Sequence, residues 1–320
     1  MKDKHQHMMH VRNEPQEAVV GFSVNPELEL AVENTLGPKK VLKRMNCCVS
    51  GSSGNVKMAL NKLGGRSHLF GLVAAGPDTF ADKLLGEAID RRGVAITPLR
   101  VLAETNICVI PIMGNMNGVA WGKRNRIVQS AVPKALQRLT RVIDIVVGTR
   151  TFSVITSLRS VEAVFATTLL ARTSPGFRVL NAKDSLCSRR EFKEILPLVD
   201  LLVLNQREFE ETGMEISELH KCGPRIVVVT HDRKGGMFSL NSGHQSRFKR
   251  VDFPGGRFET GAGDWFLGAL VSELIRLRES VLTIKPRQFH RMIDFAARVA
   301  GKKITMPGGG NGPTRSQLRN

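Results

Sequence analysis

The sequence predicts an α/β fold: a doubly wound, mostly parallel sheet flanked by helices, with a small β lid. Three observations carry this. From Val142 onward, short apolar runs alternate with stretches of helical spacing. Small-residue turns recur near the ends of such runs, where open α/β sheets hold ligands. Near the C-terminus, Phe258-Glu259-Thr260-Gly261-Ala262-Gly263-Asp264-Trp265-Phe266 sets small residues beside a carboxylate. A helical pattern follows at Phe266, Ala269, Leu270, Leu274 and Leu277.

In chain order, Ala18 to Val24 predicts a strand, with Asn25-Pro26-Glu27-Leu28-Glu29 as a polar turn at its end. Val49 to Val56 is a small-residue loop. It opens a helix with Val56, Ala59, Leu60 and Leu63 on one face, stopped by Gly64-Gly65. His68 to Val73 reads as a strand, and Gly76-Pro77-Asp78-Thr79-Phe80 turns into an amphipathic helix ending near Arg92-Gly93. Asn106 to Met113 and Val119 to Val128 predict a hairpin across Gly114 to Gly118. Pro111 makes its first arm an edge strand, and a projecting hairpin is a natural lid.

Beyond it, strands are predicted at Ile143 to Val147, Arg178 to Leu180, Leu201 to Leu204 and Ile226 to Thr230. Helices are predicted through Val161 to Leu170, about Phe192 to Leu196 and from Glu208. No internal repeat or low-complexity linker interrupts the pattern. The expected organisation is a mobile tail over 1–16 and one domain over 17–320, its lid built from about 25–50 and 104–128.

Composition bounds the function. The chain has 320 residues, 42% hydrophobic and 24% charged, as in a soluble globular protein. The sequence contains no apolar run long enough to span a membrane and no secretory signal core at the N-terminus. His5, His7 and His10 read as part of the tail rather than a metal site. Five cysteines, scattered apart from Cys47-Cys48, fit no metal-ligand spacing and read as reduced, cytoplasmic thiols. The net charge of +18 admits a nucleic-acid partner. Yet the basic residues are dispersed in short clusters such as Lys123-Arg124-Asn125-Arg126, and tyrosine is absent, so no stacking platform is visible. Anionic small substrates account for the excess at least as well.

The Gly261-Ala262-Gly263-Asp264 turn carries the chemistry. Small residues let backbone approach a ligand, and first-turn amides at the positive end of a helix dipole suit phosphate. Asp264 would repel an anion, so it reads as a base for a hydroxyl attacking a phosphoryl group held by those amides. Taken alone, the same residues also fit a plain helix start capped by Asp264. Asn205 and Glu208, three apart after a strand, offer an amide and a carboxylate for a hydrated Mg²⁺, or a capping arrangement.

Several motifs fall in a fixed order and resemble the PfkB (ribokinase-like) carbohydrate kinase family over roughly residues 18 to 315. Thr260-Gly261-Ala262-Gly263-Asp264 is similar to its C-terminal signature. Leu204-Asn205-Gln206-Arg207-Glu208 resembles its Asn-x-x-Glu motif. Val229-Thr230 with Lys234-Gly235-Gly236 resembles the strand and turn near the nucleotide phosphates. Ser50-Gly51-Ser52-Ser53-Gly54-Asn55 resembles the N-terminal glycine-rich signature, and Gly76-Pro77-Asp78-Thr79-Phe80 the Gly-x-Asp-x-Phe element.

The resemblance implies an ATP- and Mg²⁺-dependent kinase acting on a sugar or sugar phosphate. It makes Asp264 the base and Gly261, Ala262 and Gly263 the anion hole. Asn205, Thr230, Lys234, Gly235 and Thr260 fall at the nucleotide, and Glu208 with Asn205 at the metal. Asn25, Glu29, Gly51 and Asn55 fall at the acceptor. Asn25-Pro26 resembles the phosphofructokinase and tagatose-phosphate kinase branch, whose acceptor aspartate falls at Glu29; a ribokinase-style frame puts it at Glu27.

Four departures stand out. Ser52 replaces a lysine typical of the phosphosugar branch, although Lys43, Arg44 or Lys57 could substitute. Asp232 stands at a usual glycine, Trp265 at a usual small residue, and Phe258-Glu259 at a usual polar pair. They leave open an alternative, a catalytically weak scaffold with a regulatory or nucleic-acid-associated role. A nucleoside kinase of the same fold is a third reading, and the few aromatics count against it. An exposed lid edge also offers a surface for a homodimer.

Overall fold

The structure is a computed structural model describing residues 16–33, 41–76, 79–105, 107–113, 116–117, 126–156, 163–173, 176–182, 190–277 and 283–318. The tail up to residue 15, Lys123-Arg124-Asn125, Cys187 and residues 118–125 of the expected hairpin lie outside the described residues. So do the side chains of Asn25 and Glu29.

A nine-stranded sheet forms the centre. Its strands are β1 (Gln16–Phe22), β4 (Ser67–Ala74), β5 (Ile96–Leu102), β8 (Val147–Thr156), β9 (Phe177–Asn181), β10 (Leu201–Asn205), β11 (Ile226–Thr230), β12 (Gly236–Leu240) and β13 (Gln245–Phe248). Their spatial order is β13-β12-β11-β10-β9-β8-β1-β4-β5. Pairing is parallel from β5 to β11, and β12 and β13 add an antiparallel edge. A second sheet has four strands in the order β3-β2-β6-β7: β2 (Asn25–Glu33), β3 (Val41–Ser50), β6 (Cys108–Met113) and β7 (Met116–Asn117).

Successive strand residues point to opposite faces, and the core divides accordingly. Val20, Val154, Leu201, Val203 and Val228 pack under α1 (Ser52–Lys62), α2 (Phe80–Arg92), α8 (Ala262–Leu277) and α9 (Pro286–Lys303). Val19, Ile155, Leu202, Leu204 and Val229 pack under α3 (Val132–Val146), α4 (Ala163–Arg172), α5 (Arg190–Ile195) and α7 (Ile216–Cys222). A short helix, α6 (Gln206–Thr212), follows β10.

Three expectations change. Ile143 to Val147, expected as a strand, is the end of α3, and the strand runs from Val147 to Thr156. The β-branched residues there favour a strand locally, but Ala135, Leu139, Val142, Ile143 and Val146 recur at helical spacing and are buried on one face. The segment from Asn25, expected as a turn, is strand β2, held between β3 and β6. The hairpin differs too: Met116–Asn117, expected within its turn, is β7, and β6, expected at the sheet edge because of Pro111, lies between β2 and β7. Pro111 sits opposite Leu30, and β7 pairs only with Ile112 and Met113, so no β7 residue pairs with the proline.

Helices α1 and α8 cross where Gly268 meets Ala59; a Cβ on Gly268 would lie 2.6 Å from that of Ala59. This close approach brings the N-terminal ends of the two helices together and sets the site.

Candidate active site

Strand order reverses at β1: the chain continues to β4 and β5 on one side and from β8 to β11 on the other. In such sheets the crevice beyond the strand ends holds the ligand. Asn205 ends β10, Thr230 ends β11, and the two are register partners.

Beside these ends lies an open cleft of about 1000 Å³. Thr230, Lys234, Gly235, Ala262 and Gly263 line it, as does Gln206 beside Asn205. Its apolar wall includes Phe248 and Phe266, with ring centroids 5.7 Å apart at 17°, and continues through Ala297 and Ile304. A flat heterocycle could rest on that wall, with an anionic tail running toward Lys234.

Gly235 has φ 91°, and a Cβ there would meet the Phe248 carbonyl oxygen at 2.2 Å, so only glycine closes this turn. Asp232 adopts φ 44°, a left-handed backbone that favours glycine, and is exposed. His231 also lines the cleft; its Nε2 is buried without a hydrogen-bond partner.

Asn205 and Glu208 cap α6 reciprocally. The Glu208 amide donates to Asn205 Oδ1 at 2.8 Å, and the Asn205 amide donates to Glu208 Oε2 at 2.7 Å. No group of three or more His, Cys, Asp or Glu placed to hold a metal occurs among the described residues.

At the signature turn, Gly261 has φ 80° and α8 begins at Ala262. The Ala262 amide donates to the Glu259 carbonyl at 3.0 Å, and the Trp265 amide to the Gly261 carbonyl at 2.9 Å. Gly263 is exposed to the cleft, Thr260 is half-buried, and Asp264 is buried.

Behind the turn lies a closed polar cluster. Asn55 Nδ2 donates to Asp264 Oδ2 at 2.8 Å, joining residues 209 positions apart. Ser50 Oγ donates to Glu27 Oε2 at 2.6 Å and approaches Asn55 Oδ1 at 3.2 Å. The Gly309 amide donates to Glu27 Oε1 at 2.7 Å. None of Glu27, Ser50, Asn55 and Asp264 is more than 4% exposed. Gly51, with φ 80°, precedes α1 and turns the chain from Ser50 toward Asn55. Glu27 therefore brings a second carboxylate, beside Asp264, to this cluster. The backbone of Asn25 pairs with Ser50 and that of Glu29 with Asn46.

Cys48 and Cys108 are the register partners of Glu27 on β3 and β6. Burial, and then the charge of Glu27, push the Cys108 thiol up to about 12. Lys57 turns away from the cluster, donating to the Ser67 carbonyl oxygen and to Asn61 Oδ1.

Sequence reasoning left out Ser50 and Gly309 as site residues and held Glu27 only as an alternative frame. The run Gly308-Gly309-Gly310-Asn311-Gly312 was a usable signal, because three successive glycines after a helix permit a close backbone approach.

The fold is shared with solved kinases. Ribokinase from Giardia lamblia superposes with a TM-score of 0.70 at 19% identity, covering 95% of this chain and 98% of that one. The nucleoside kinase of Methanocaldococcus jannaschii gives 0.68 at 15%, with 95% and 97% covered. Fructokinase from Xylella fastidiosa, solved with bound ATP, gives 0.69 at 14%, with 95% and 97% covered. No curated protein sequence matches the chain. Residues 19–315 match the family described as pfkB family carbohydrate kinase, and with nearly the whole chain spanned, the protein belongs to that family.

Proposed function

We propose that the protein transfers the γ-phosphoryl group of ATP to a hydroxyl of a sugar or sugar phosphate. One observation carries the reading. The Asn55–Asp264 hydrogen bond ties a buried carboxylate into a closed polar cluster directly behind a glycine turn that lines an open cleft.

ATP enters the cleft, its base against Phe248 and Phe266 and its phosphates toward Lys234, Gly235 and the start of α8. The acceptor binds at Glu27, Ser50 and Asn55, which between them offer acceptors and donors to vicinal hydroxyls. One acceptor hydroxyl replaces Asn55 on Asp264, which takes its proton as the oxygen attacks the γ-phosphorus and the bond to the β-phosphate oxygen breaks, releasing ADP. Backbone amides at the α8 start meet the charge that develops on the phosphoryl oxygens.

Mg²⁺ would accompany the nucleotide and neutralise phosphate charge. Asn205 and Glu208 would hold it through its waters, since Asn205 Oδ1 and Glu208 Oε2 already accept the capping amides and leave one amide and one carboxylate at the crevice for outer contacts. The four-stranded sheet serves as a lid over the acceptor, since β2 and β3 carry Glu27 and Ser50. Closure there would exclude water and suppress ATP hydrolysis. The free edge of this sheet also offers a homodimer contact, which light scattering would detect.

The mutual saturation of Glu27, Ser50, Asn55 and Asp264 favours a second reading, a weakly catalytic scaffold. One experiment separates the two: ATP consumption screened against sugars, sugar phosphates and nucleosides, with Asp264→Asn as control. Acceptor-dependent turnover that the variant loses is the expected result. A panel on which the unaltered chain consumes no ATP overturns the kinase reading.

A further inference from the structure

Trp265 has no part in the chemistry above, yet it is fully buried immediately after Asp264. Its indole Nε1 donates to the Gly309 carbonyl at 2.9 Å. Its ring lies against Gly312, where a Cβ would come within 2.5 Å of the ring carbons. Lys62 Nζ sits 5.9 Å from the ring centroid and donates to the Gly312 carbonyl at 3.0 Å. The indole thus holds a glycine turn, 308–312, by its middle and its end.

That turn reaches the acceptor cluster. The Gly309 amide donates to Glu27, and the Gly309 carbonyl packs so close to Gly261 that a Cβ on Gly261 would stand 2.8 Å from it. A Cβ on Gly309 would point between Asn55 Nδ2 and Glu27 Oε2, 3.0 Å from each. Gly309 therefore forms a wall of the pocket as well as a donor to its carboxylate.

We propose that Trp265 is a positioning and specificity-determining residue. It fixes the 308–312 turn so that Gly309 orients Glu27 and sets how large an acceptor fits between Glu27 and Asn55. The proposal rests on the kinase reading. It predicts that loss of the indole donor loosens the grip on the acceptor and leaves the nucleotide side untouched, because the cleft is lined by residues other than Trp265 and Gly309.

The test uses the full chain with Trp265→Phe, which keeps an aromatic ring and removes the N–H, and with Gly309→Ala as a second variant acting from inside the pocket. The backbone of Gly309 lies outside the left-handed region, so alanine strains no backbone angle and acts only by crowding Asn55 and Glu27. The acceptor probe is whichever sugar of the screening panel the unaltered chain turns over fastest.

For Trp265→Phe we expect faster amide hydrogen exchange across 308–312 and an acceptor KM raised roughly tenfold or more, with the ATP KM unchanged. For Gly309→Ala we expect a comparable rise in acceptor KM, steeper for bulkier sugars of the panel. Unchanged exchange in the Trp265 variant overturns the proposal. So does a KM for ATP that rises in step with that for acceptor, the mark of a merely structural role. If Trp265→Phe does not fold, Gly309→Ala alone decides: an unchanged acceptor KM refutes the pocket wall. An unaltered chain that phosphorylates nothing defeats the kinase reading itself, whereas turnover with unaltered variants defeats this inference alone.

Discussion

The two halves of the site are built differently. On the proposed nucleotide side, an open cleft of about 1000 Å³ lies at strand ends and glycine turns, which bring backbone groups to it beside side chains such as Lys234 and Phe248. On the acceptor side, four polar side chains bury one another, and a glycine turn from the C-terminal end seals them. Backbone sites tolerate substitution of neighbouring side chains, because the amides stay where the fold puts them. A side-chain cluster has no such reserve: removing one partner leaves buried polar atoms unpaired. Variants of the acceptor half should therefore hurt more than those of the nucleotide half.

The largest effect is expected at the contact between the halves. Asp264→Asn keeps the shape and removes the proposed base, so kcat should fall by about 10²–10⁴ while ATP affinity, measured by calorimetry, holds. A variant that retains turnover would show that the closed half supplies no base. Next comes Glu27→Gln. The amide can still accept from Ser50 but confronts the Gly309 amide with a weaker acceptor or a donor of its own. The acceptor KM should rise by about ten- to a hundredfold, from the roughly 1.5–3 kcal/mol of a charged hydrogen bond, with the ATP KM constant.

The contrast also explains what could be read in advance. Alternating apolar runs and glycine turns gave away the sheet, since both are local signals. Thr230, Lys234, Gly235, Ala262 and Gly263, all lining the cleft, are legible for the same reason: each belongs to a short motif at a strand or helix end. In the proposed acceptor cluster, Asn55 and Asp264 also belong to short motifs, but Glu27 and Gly309 join them only through tertiary contacts. No local spacing distinguishes Glu27 from Glu29 on an extended segment, because which carboxylate is enclosed depends on β3, β6 and the C-terminal turn. Helix α3 failed to declare itself for a related reason: β-branched residues at its end mimic a strand until the burial of one face is known.

The closed half rests on buried charge, which makes its support sensitive to pH. Lys57, on α1 two residues beyond Asn55, is lowered to about 7 by burial. Between pH 7 and its ordinary value of 10.5, the unfolded chain holds the extra proton, so the Lys57 contribution to stability rises with pH through that window and its slope vanishes below 7, while the raised Cys108 thiol opposes it above about 9. The unfolding constant should fall by up to about tenfold per pH unit there, and Lys57→Met should flatten the slope in denaturant titrations at pH 8 to 10. His68 behaves alike at lower pH. Burial and then the Lys57 charge take it down to about 3, so stability declines as pH falls below 6.5. A wild-type slope that Lys57→Met leaves intact would assign the pH response elsewhere.

The smallest effect belongs to the open half and tests its tolerance. Asp232 carries a left-handed backbone and a carboxylate to the cleft proposed to take phosphate. Its conformation costs about 1 kcal/mol relative to glycine. Its charge is exposed, so solvent screens most of its repulsion. Asp232→Gly should therefore raise stability by about 1 kcal/mol in urea titrations and lower the ATP KM only severalfold, with the acceptor KM unmoved. If the acceptor KM shifted as well, the halves would be coupled through the β11–β12 turn. The division between a backbone-made nucleotide cleft and a side-chain-made acceptor pocket would then have to be redrawn around that turn.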